Sequence, residues 1–306
     1  MPTNDSHAAR RGFLLGVLGV TIFAMTLPMT RLAVGDIAAP QLPPAFVTAG
    51  RAALAGLCSL LYLLAVRAPW PARRWLPALG VSALGTVLGF PLFLALALRR
   101  VDAMHAAVVT GVLPLGTAIV AALVLRQRPP RAFWALATLG CALVLAFAAW
   151  RGGGALQLAD ALLLGAVASA SIGYVAGARV ASAMAAEHVI CWVLVLSLPL
   201  SLPLAWWVWP DATLRGHVGA AAWLGFGYVS LFSMWLGFFA WYRGLALGGV
   251  VHVSQVQLLQ PFLALLFAVP VLGEKLQPST VVFALAVMGV VFLGRKLPPP
   301  RRTLAA

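Results

Sequence analysis

The sequence predicts an all-α membrane protein in which ten transmembrane helices form two inverted-topology five-helix repeats around a central cavity. Three observations predict this fold class. Of the 306 residues, 62% are hydrophobic and only 9% are charged, too little charge to cover a soluble domain of this size. The apolar residues form runs near the ~20 residues that a helix needs to cross hydrocarbon. A repeat at an offset of 147 residues relates the two halves of the chain.

Ten apolar runs, separated by Pro, Gly and charged residues, predict the helices in chain order. The runs span residues 12–32, 44–66, 75–98, 103–125, 131–150, 157–179, 187–208, 218–243, 249–272 and 278–295. Connections around Arg99-Arg100 and from Gln127 to Pro130 are very short, so the helices that they join lie antiparallel. Residues 1–150 then form a first repeat, and residues 151–306 form a second, inverted repeat with a short basic C-terminal tail.

The basic residues predict the orientation of the helices. If the N-terminus lies in the cytoplasm, fourteen Lys and Arg residues fall on the inner side and six on the outer side, with Arg51 inside a helix. Cytoplasmic loops of membrane proteins carry such an excess. Both termini are therefore predicted to be cytoplasmic, in a multi-pass protein of the bacterial inner membrane. Because the net charge of +14 is divided among short groups between apolar runs, a nucleic-acid partner is not expected.

Neither a cofactor nor catalysis is predicted. Cys58, Cys141 and Cys191 lie far apart within apolar runs and lack metal-ligand spacing. All seven acidic residues fall in predicted loops or at helix ends, and there is no P-loop for ATP. Asp102 and His105 lie one helical turn apart, but no nucleophile or metal site accompanies them. We expect no metal, no cofactor and no enzymatic activity; a membrane-embedded enzyme is the alternative from another class.

The two halves share residues at matched positions. Pairs at the offset of 147 residues are His105 with His252, Thr110 with Gln257, and Pro114 with Pro261. Because five helices precede five more, the second copy enters the membrane from the opposite side. Halves related in this way can exchange inward-open and outward-open shapes, which predicts a secondary transporter that works by alternating access.

A family resemblance is found in residues 244–276, whose sequence is GLALGGVVHVSQVQLLQPFLALLFAVPVLGEKL. They resemble the C-terminal half of an EamA-type repeat in Gly244-Leu245, Pro261 and Gly273-Glu274. The first half is similar in Ala97-Leu98 and Pro114, but it carries Arg126-Gln127-Arg128 where the acidic pair belongs. The chain is thus similar, over nearly its whole length, to the ten-helix drug/metabolite transporter superfamily, and it most resembles YddG-type aromatic amino-acid exporters. The resemblance implies export of small metabolites, in particular amino acids including aromatic ones.

The predicted ninth helix carries a polar stripe beside a proline. Ser254, Gln257 and Gln260 recur every three residues, so they share a slanting face of an ideal helix. Pro261 has no N–H and clashes with the carbonyl of Gln257. Lipid does not tolerate such backbone unless it faces protein or a water-filled cavity. With Pro114 as the counterpart in the fourth helix, we expect two hinges; the alternative is two kinked helices whose amides bond to neighbouring helices.

Other side chains are predicted to line the cavity. Arg51 lies inside a helix, where it would either hold a substrate carboxylate as a bidentate donor or anchor the helix end. His105 and His252 begin the fourth and ninth helices, so each is a candidate gate or proton relay, with an ordinary interfacial histidine as the alternative. The further predicted lining residues, for which helix packing is the alternative, are Met25, Thr110, Tyr174, Trp235 and Phe238.

The predicted partners are a small-molecule substrate, most of all an amino acid, and the lipid bilayer, and the chain is expected to work as a monomer. A cationic drug and a phosphorylated metabolite are the alternative substrates. The lack of a carboxylate within the membrane disfavours the cation, and the scarcity of buried basic residues beyond Arg51 disfavours the phosphate. Because no carboxylate is predicted within the membrane, we expect the substrate to move down its own concentration gradient, with proton exchange through the histidines as the alternative.

Overall fold

The protein is a bundle of apolar helices. The computed structural model describes residues 3–124, 127–128, 130–181, 183–211, 216–248, 253, 255–296 and 301–302. Within these ranges eight helices are long and apolar enough to cross a membrane. They are Arg10–Val34, Pro44–Ala65, Arg73–Leu98, Ala103–Val124, Arg131–Arg151, Leu158–Val180, Glu187–Trp207 and Ala220–Leu245, and two shorter apolar helices follow, Gln260–Leu272 and Pro278–Gly294. The chain is therefore a multi-pass membrane protein.

The helices are interrupted at several points, so the regular elements outnumber the candidate spans. The α-helices are α1 Thr3–Ala24, α2 Thr26–Val34, α3 Pro44–Ala65, α4 Leu76–Ser82, α5 Phe90–Leu98, α6 Ala103–Thr110, α7 Leu113–Val124, α8 Arg131–Arg151, α9 Leu158–Val180, α10 Ala186–Trp207, α11 Ala220–Gly227, α12 Gly237–Gly248, α13 Gln260–Leu272 and α14 Pro278–Arg295. Short 3₁₀ helices span Arg73–Trp75 and Gln255–Leu259, and π-helical segments span Ala83–Gly89 and Tyr228–Leu236. Two-residue strands, β1 Gln127–Arg128 and β2 Arg301–Arg302, pair antiparallel.

The first eight predicted helices correspond to the eight candidate spans, and their ends differ by a few residues. The predicted ninth and tenth helices overlap the two shorter helices. The interruptions inside the spans differ from the expectation of continuous or kinked helices. In particular, the predicted fourth helix divides between Thr110 and Leu113, and from Gln255 onward the predicted ninth is a 3₁₀ segment followed by α13.

Glycines bring the first π-helical segment into close contact with α9. A Cβ added to Gly85 would lie 2.5 Å from the carbonyl oxygen of Ser169, and one added to Gly173 would lie 2.8 Å from the amide nitrogen of Thr86. Small residues allow helix backbones to approach in this way inside membranes. Ser169 Oγ also donates a hydrogen bond of 3.1 Å to the carbonyl of Gly85. That bond provides a partner for a backbone oxygen at a point where the α-helical ladder is interrupted.

The two ends of the bundle can be named by residues. α6 begins and α13 ends at one end, which we call the Glu274 end. α9 begins at this same end and, at 1.5 Å per residue over 23 residues, finishes at the opposite one, the Ala181 end. The largest cluster of buried apolar side chains includes a layer at the Glu274 end, formed by Val34, Leu42, Phe46, Leu98 and Met104. These five side chains are at most 3% exposed, so they fill the bundle at this end.

Candidate functional site

Two adjoining cavities lie within the bundle. The larger, of about 540 Å³, is bounded mainly by α9, α10, α12 and the span that contains the first π-helical segment, and Arg51 of α3 also lines it. The smaller, of about 370 Å³, is bounded by α6, α7, α13 and α14. Five residues line both cavities, namely Leu27, Leu113, Tyr174, Gln257 and Gln260. Volumes of this order are typical of pockets that hold small molecules.

The first break in a helix lies beside the smaller cavity. α6 ends at Thr110, α7 begins at Leu113, and Pro114 is the second residue of α7. Because proline has no N–H, it cannot continue the ladder to the carbonyl of Thr110. Thr110 and Pro114 both line the smaller cavity. However, the hydroxyl of Thr110 donates to the carbonyl of Ala106 at 2.7 Å, so it serves its own helix rather than the cavity.

The second break lies opposite the first. The 3₁₀ segment ends at Leu259, and Pro261 is the second residue of α13. A Cβ added to Gly111 would lie 3.7 Å from Cγ of Pro261, so the two breaks are in contact. Each proline therefore opens a new helix, which is a stronger interruption than the predicted kink. Two predicted site residues, His252 and Ser254, lie outside the described residues.

Arg51 is buried against the larger cavity. Its side chain belongs to α3, and the residue is only 3% exposed. Nη2 donates to Oγ of Ser233 at 3.2 Å, and that oxygen lies 2.7 Å from Oγ1 of Thr26. Nε and Nη1 have no hydrogen-bond partner among the described residues. Two nitrogens of a buried guanidinium beside the cavity are thus left without a described partner. Among the described lining residues of both cavities, Arg51 alone is basic and none is acidic.

Four aromatic side chains, which we call the aromatic wall, line the larger cavity together with Arg51. The wall consists of Phe23, Phe238, Trp241 and Tyr242, with the rings of Phe23 and Phe238 edge to face at 5.0 Å between centroids. Sequence reasoning missed Phe23, which lies two residues before the break at Met25. It also missed Ser82 and Thr86, because nothing in the sequence marks the π-helical segment that aims Thr86 into the cavity.

Two predicted lining residues lie elsewhere. Trp235 is not among the described residues that line either cavity; its ring packs against Phe239 at 5.3 Å between centroids. The prediction assumed α-helical periodicity, whereas residues 228–236 form a π helix whose i→i+5 bonding turns side chains onto other faces. Met25 lies half-buried at the junction of α1 and α2, beside the cavity residue Thr26.

His105 lies away from both cavities, in a polar pocket of about 220 Å³ at the Glu274 end. Its Nε2 lies 2.7 Å from Oδ1 of Asp160, and both side chains are buried. Oδ2 of Asp160 accepts the backbone N–H of Gln157 at 2.8 Å, which caps α9. Sequence reasoning placed Asp160 at a helix end, as found, but it missed this pairing because the two residues are 55 positions apart.

The fold and the cavities define a membrane transporter: a multi-pass helical bundle with a closed end, interrupted helices and an internal cavity that contains a buried cation. The EamA-like transporter family matches residues 10–150 and, separately, residues 157–295. The chain belongs to this family. It is also 45% identical over 285 residues to the protein described as "Uncharacterized transporter YdeK" of Bacillus subtilis (strain 168). The alignment covers 93% of this chain and 97% of the Bacillus protein.

A solved structure shares the fold. It is described only as a crystal structure of a protein, and it superposes with a TM-score of 0.59 at 20% sequence identity. The match covers 93% of this chain and 98% of that chain. The likeness extends over nearly the whole bundle and concerns the fold alone.

Proposed function

We propose that this transporter exports amino acids, aromatic ones included, across the bacterial inner membrane by alternating access and without ATP. The observation that carries the proposal is Arg51, whose buried guanidinium lies beside a cavity lined by aromatic rings and has two nitrogens with no partner in the described part of the chain. The resemblance to YddG-type aromatic amino-acid exporters supports the same substrate class. Because one chain encloses both cavities, the protein is proposed to work as a monomer.

The carboxylate of the amino acid binds Arg51. Guanidinium and carboxylate form paired, charge-assisted hydrogen bonds, which are stronger than neutral ones. Nη2 has two N–H groups and gives one of them to Ser233, so its second N–H, paired with that of Nε or of Nη1, forms the fork that binds the carboxylate. The bond to Ser233 also fixes the orientation of the fork before the substrate arrives.

The rest of the substrate matches the rest of the cavity. An ammonium group needs acceptors, and the amide oxygens of Gln257 and Gln260 provide them where the two cavities meet. The rings of Phe23, Phe238 and Trp241 offer stacking and apolar area to an aromatic side chain. The described lining residues carry no carboxylate to neutralise a cationic drug and no second cation to hold a phosphate. A zwitterion with an apolar side chain therefore fits better than either alternative.

Alternating access follows from the two breaks and the proposed topology. We take the two shorter helices as the ninth and tenth spans, so that residues 1–150 and 151–306 form inverted repeats with both termini in the cytoplasm. The separate family matches to each half and the positive-inside bias support this arrangement. The Glu274 end then faces outward. The larger cavity extends to Ala178 and Ala181, which are exposed at the Ala181 end, so this conformation is open to the inside.

Counterflow tests the proposal. Purified protein in liposomes that are preloaded with an unlabelled amino acid should accumulate labelled tryptophan or phenylalanine transiently above its equilibrium level. A membrane enzyme would instead change the substrate chemically, which chromatography of the recovered label detects. If none of the twenty amino acids drives counterflow, the substrate class is wrong.

A further inference from the structure

The first turn of α6 is held at the Glu274 end by a carboxylate from the other half of the chain. Oε1 of Glu274 accepts the backbone N–H of Ala103 at 2.6 Å, and Oε2 accepts that of Met104 at 2.9 Å. These amides belong to the beginning of a helix, where N–H groups lack intrahelical partners and the helix dipole favours negative charge. Glu274 therefore joins the end of α13 to the beginning of α6, and we call this pair of hydrogen bonds the Glu274 clip.

Local sequence places Glu274 in position to do this. α13 ends at Gly273, whose φ of 68° is left-handed and is readily adopted by glycine. The N–H of Gly273 bonds to the carbonyl of Val269 at 2.9 Å, and that of Glu274 to the carbonyl of Ala268 at 3.4 Å. These are the bonds of a helix C-terminal cap that reverses the chain. Gly273 thus ends the helix in a turn, and Glu274, directly after it, binds the first turn of α6.

Two further ties hold the same turn of α6. Asp102 caps it by accepting the N–H of His105 at 2.7 Å. The other oxygen of Asp102 lies 2.6 Å from Nη2 of Arg151, whose Nη1 donates to the side chain of Gln277 at 2.6 Å. The buried pair of His105 and Asp160 adds a bond to α9. Together with the clip, these ties join α6 to α8, α9, α13 and the residue before α14.

α6 is well placed to act as a gate because it is short and ends at a break. It has eight residues, from Ala103 to Thr110, and the interruption before Pro114 follows directly. Ala107, on the same helix, lines the smaller cavity. A swing of α6 about the break would therefore open the cavity at the Glu274 end, provided that the ties at its first turn are released.

We propose that Glu274 is the positioning residue that controls this opening: its clip on α6 keeps the cavity closed at the Glu274 end, and its release permits the outward-open state. The inference rests on the proposed alternating-access cycle. At the repeat offset of 147 residues, the counterpart of Glu274 is Gln127, which carries no charge. The charged clip is therefore present in one half only, which favours the conformation that is closed at the Glu274 end and open at the Ala181 end.

The surroundings make the clip sensitive to protonation. Burial raises the pKa of Glu274, and the negative charge of Asp102 raises it further. The hydrogen bonds from Ala103 and Met104 and the positive charge of Arg31 act in the opposite direction. The polar pocket beside this turn is lined by further titratable or charged side chains, namely Arg100, Asp102, His105, Arg151 and Asp160. A protonated Glu274 would bind the two amides less strongly, because it loses the charge that assists both hydrogen bonds.

Cysteine accessibility tests the proposal without any assumption about the substrate. In the full-length protein with Cys58, Cys141 and Cys191 replaced by serine, Ala107→Cys reports opening at the Glu274 end and Ala178→Cys reports opening at the Ala181 end. Exposed Lys275→Cys identifies the compartment that the Glu274 end faces. A membrane-impermeant thiol reagent is added to each side of sealed vesicles, and labelling rates are measured.

Glu274→Gln should raise the labelling rate of Ala107→Cys by about tenfold, a change typical of losing charge-assisted hydrogen bonds. It should lower the labelling rate of Ala178→Cys, because the Ala181 end closes when the Glu274 end opens. Glu187→Gln, the same change at the beginning of α10 at the opposite end, should leave the Ala107→Cys rate unchanged. A merely structural role predicts faster labelling of both reporters. That result, or no change, overturns the proposal. If Glu274→Gln fails to accumulate in the membrane, Glu274→Asp, whose shorter side chain does not reach both amides, supplies the same test.

Discussion

Replacing Arg51 is the sharpest perturbation of the proposed substrate site. Arg51→Ala removes both unpartnered donors, Nε and Nη1, and the positive charge from a cavity whose described lining has no other cation. A substrate carboxylate would then be buried without a partner, a loss of about 3–5 kcal/mol. At about 1.4 kcal/mol per tenfold change, the affinity should fall by about two orders of magnitude or more. Arg51→Lys keeps the charge and loses the fork, so it should cost roughly tenfold.

Binding can be measured by how strongly an unlabelled ligand inhibits tracer counterflow, and by isothermal titration calorimetry in detergent. Tryptamine, which lacks the carboxylate of tryptophan, is the matched chemical control. The wild type should prefer tryptophan to tryptamine by about the same two orders of magnitude, and Arg51→Ala should lose that preference. If Arg51→Ala binds tryptophan as the wild type does and only melts at a lower temperature, then Arg51 is a structural anchor through Ser233, and the reasoning is wrong.

The other predictions concern the breaks, the amides, the packing and the clip. Pro114→Ala and Pro261→Ala restore a backbone donor at each break and should slow transport while raising the melting temperature; unchanged rates would remove the hinge proposal. Gln257→Leu keeps the bulk but not the acceptor, so it should weaken binding of tryptophan about tenfold and that of indole-3-propionate, which has no ammonium, much less. Gly85→Ala should destabilise the protein by about 1–3 kcal/mol because a Cβ there meets the backbone of α9, whereas Gly80→Ala, where no atom lies within 4 Å, should be neutral or slightly stabilising, as shown by thermal melts. When the pH is lowered on the side of the Glu274 end, the labelling rate of Ala107→Cys, divided by that of a free thiol to correct for the falling thiolate fraction, should rise because protonation of Glu274 weakens its clip, and Glu274→Gln should abolish this rise.

Much of the fold could be predicted because hydrocarbon thickness dictates the length of a span. Residues 131–150 were predicted as a helix from hydropathy, and the helix runs from Arg131 to Arg151. The breaks could be located for an equally local reason, since Pro114 and Pro261 lack an N–H wherever they occur. Gln257, Gln260 and Arg51 could be placed at a cavity because polar groups in a span avoid lipid.

The remainder depends on contacts between distant segments. Nothing local signals the π-helical segment from Ala83 to Gly89, whose carbonyl at Gly85 bonds to Ser169 of another helix. The second π-helical segment turned Trp235 away from the expected face for the same reason. Glu274 was recognised as part of a motif, but its role was hidden because its partners are backbone amides about 170 residues away.

The central claim is that the cavity opens at one end as it closes at the other. Spin labels at Ile37 and Lys275, both exposed at the Glu274 end, and at Ala181 and Lys296, exposed at the opposite end, allow both openings to be measured by pulsed electron spectroscopy. Addition of a transported amino acid, or Glu274→Gln without it, should lengthen the first distance and shorten the second. Distances that stay fixed, or that lengthen together, would contradict alternating access in this protein.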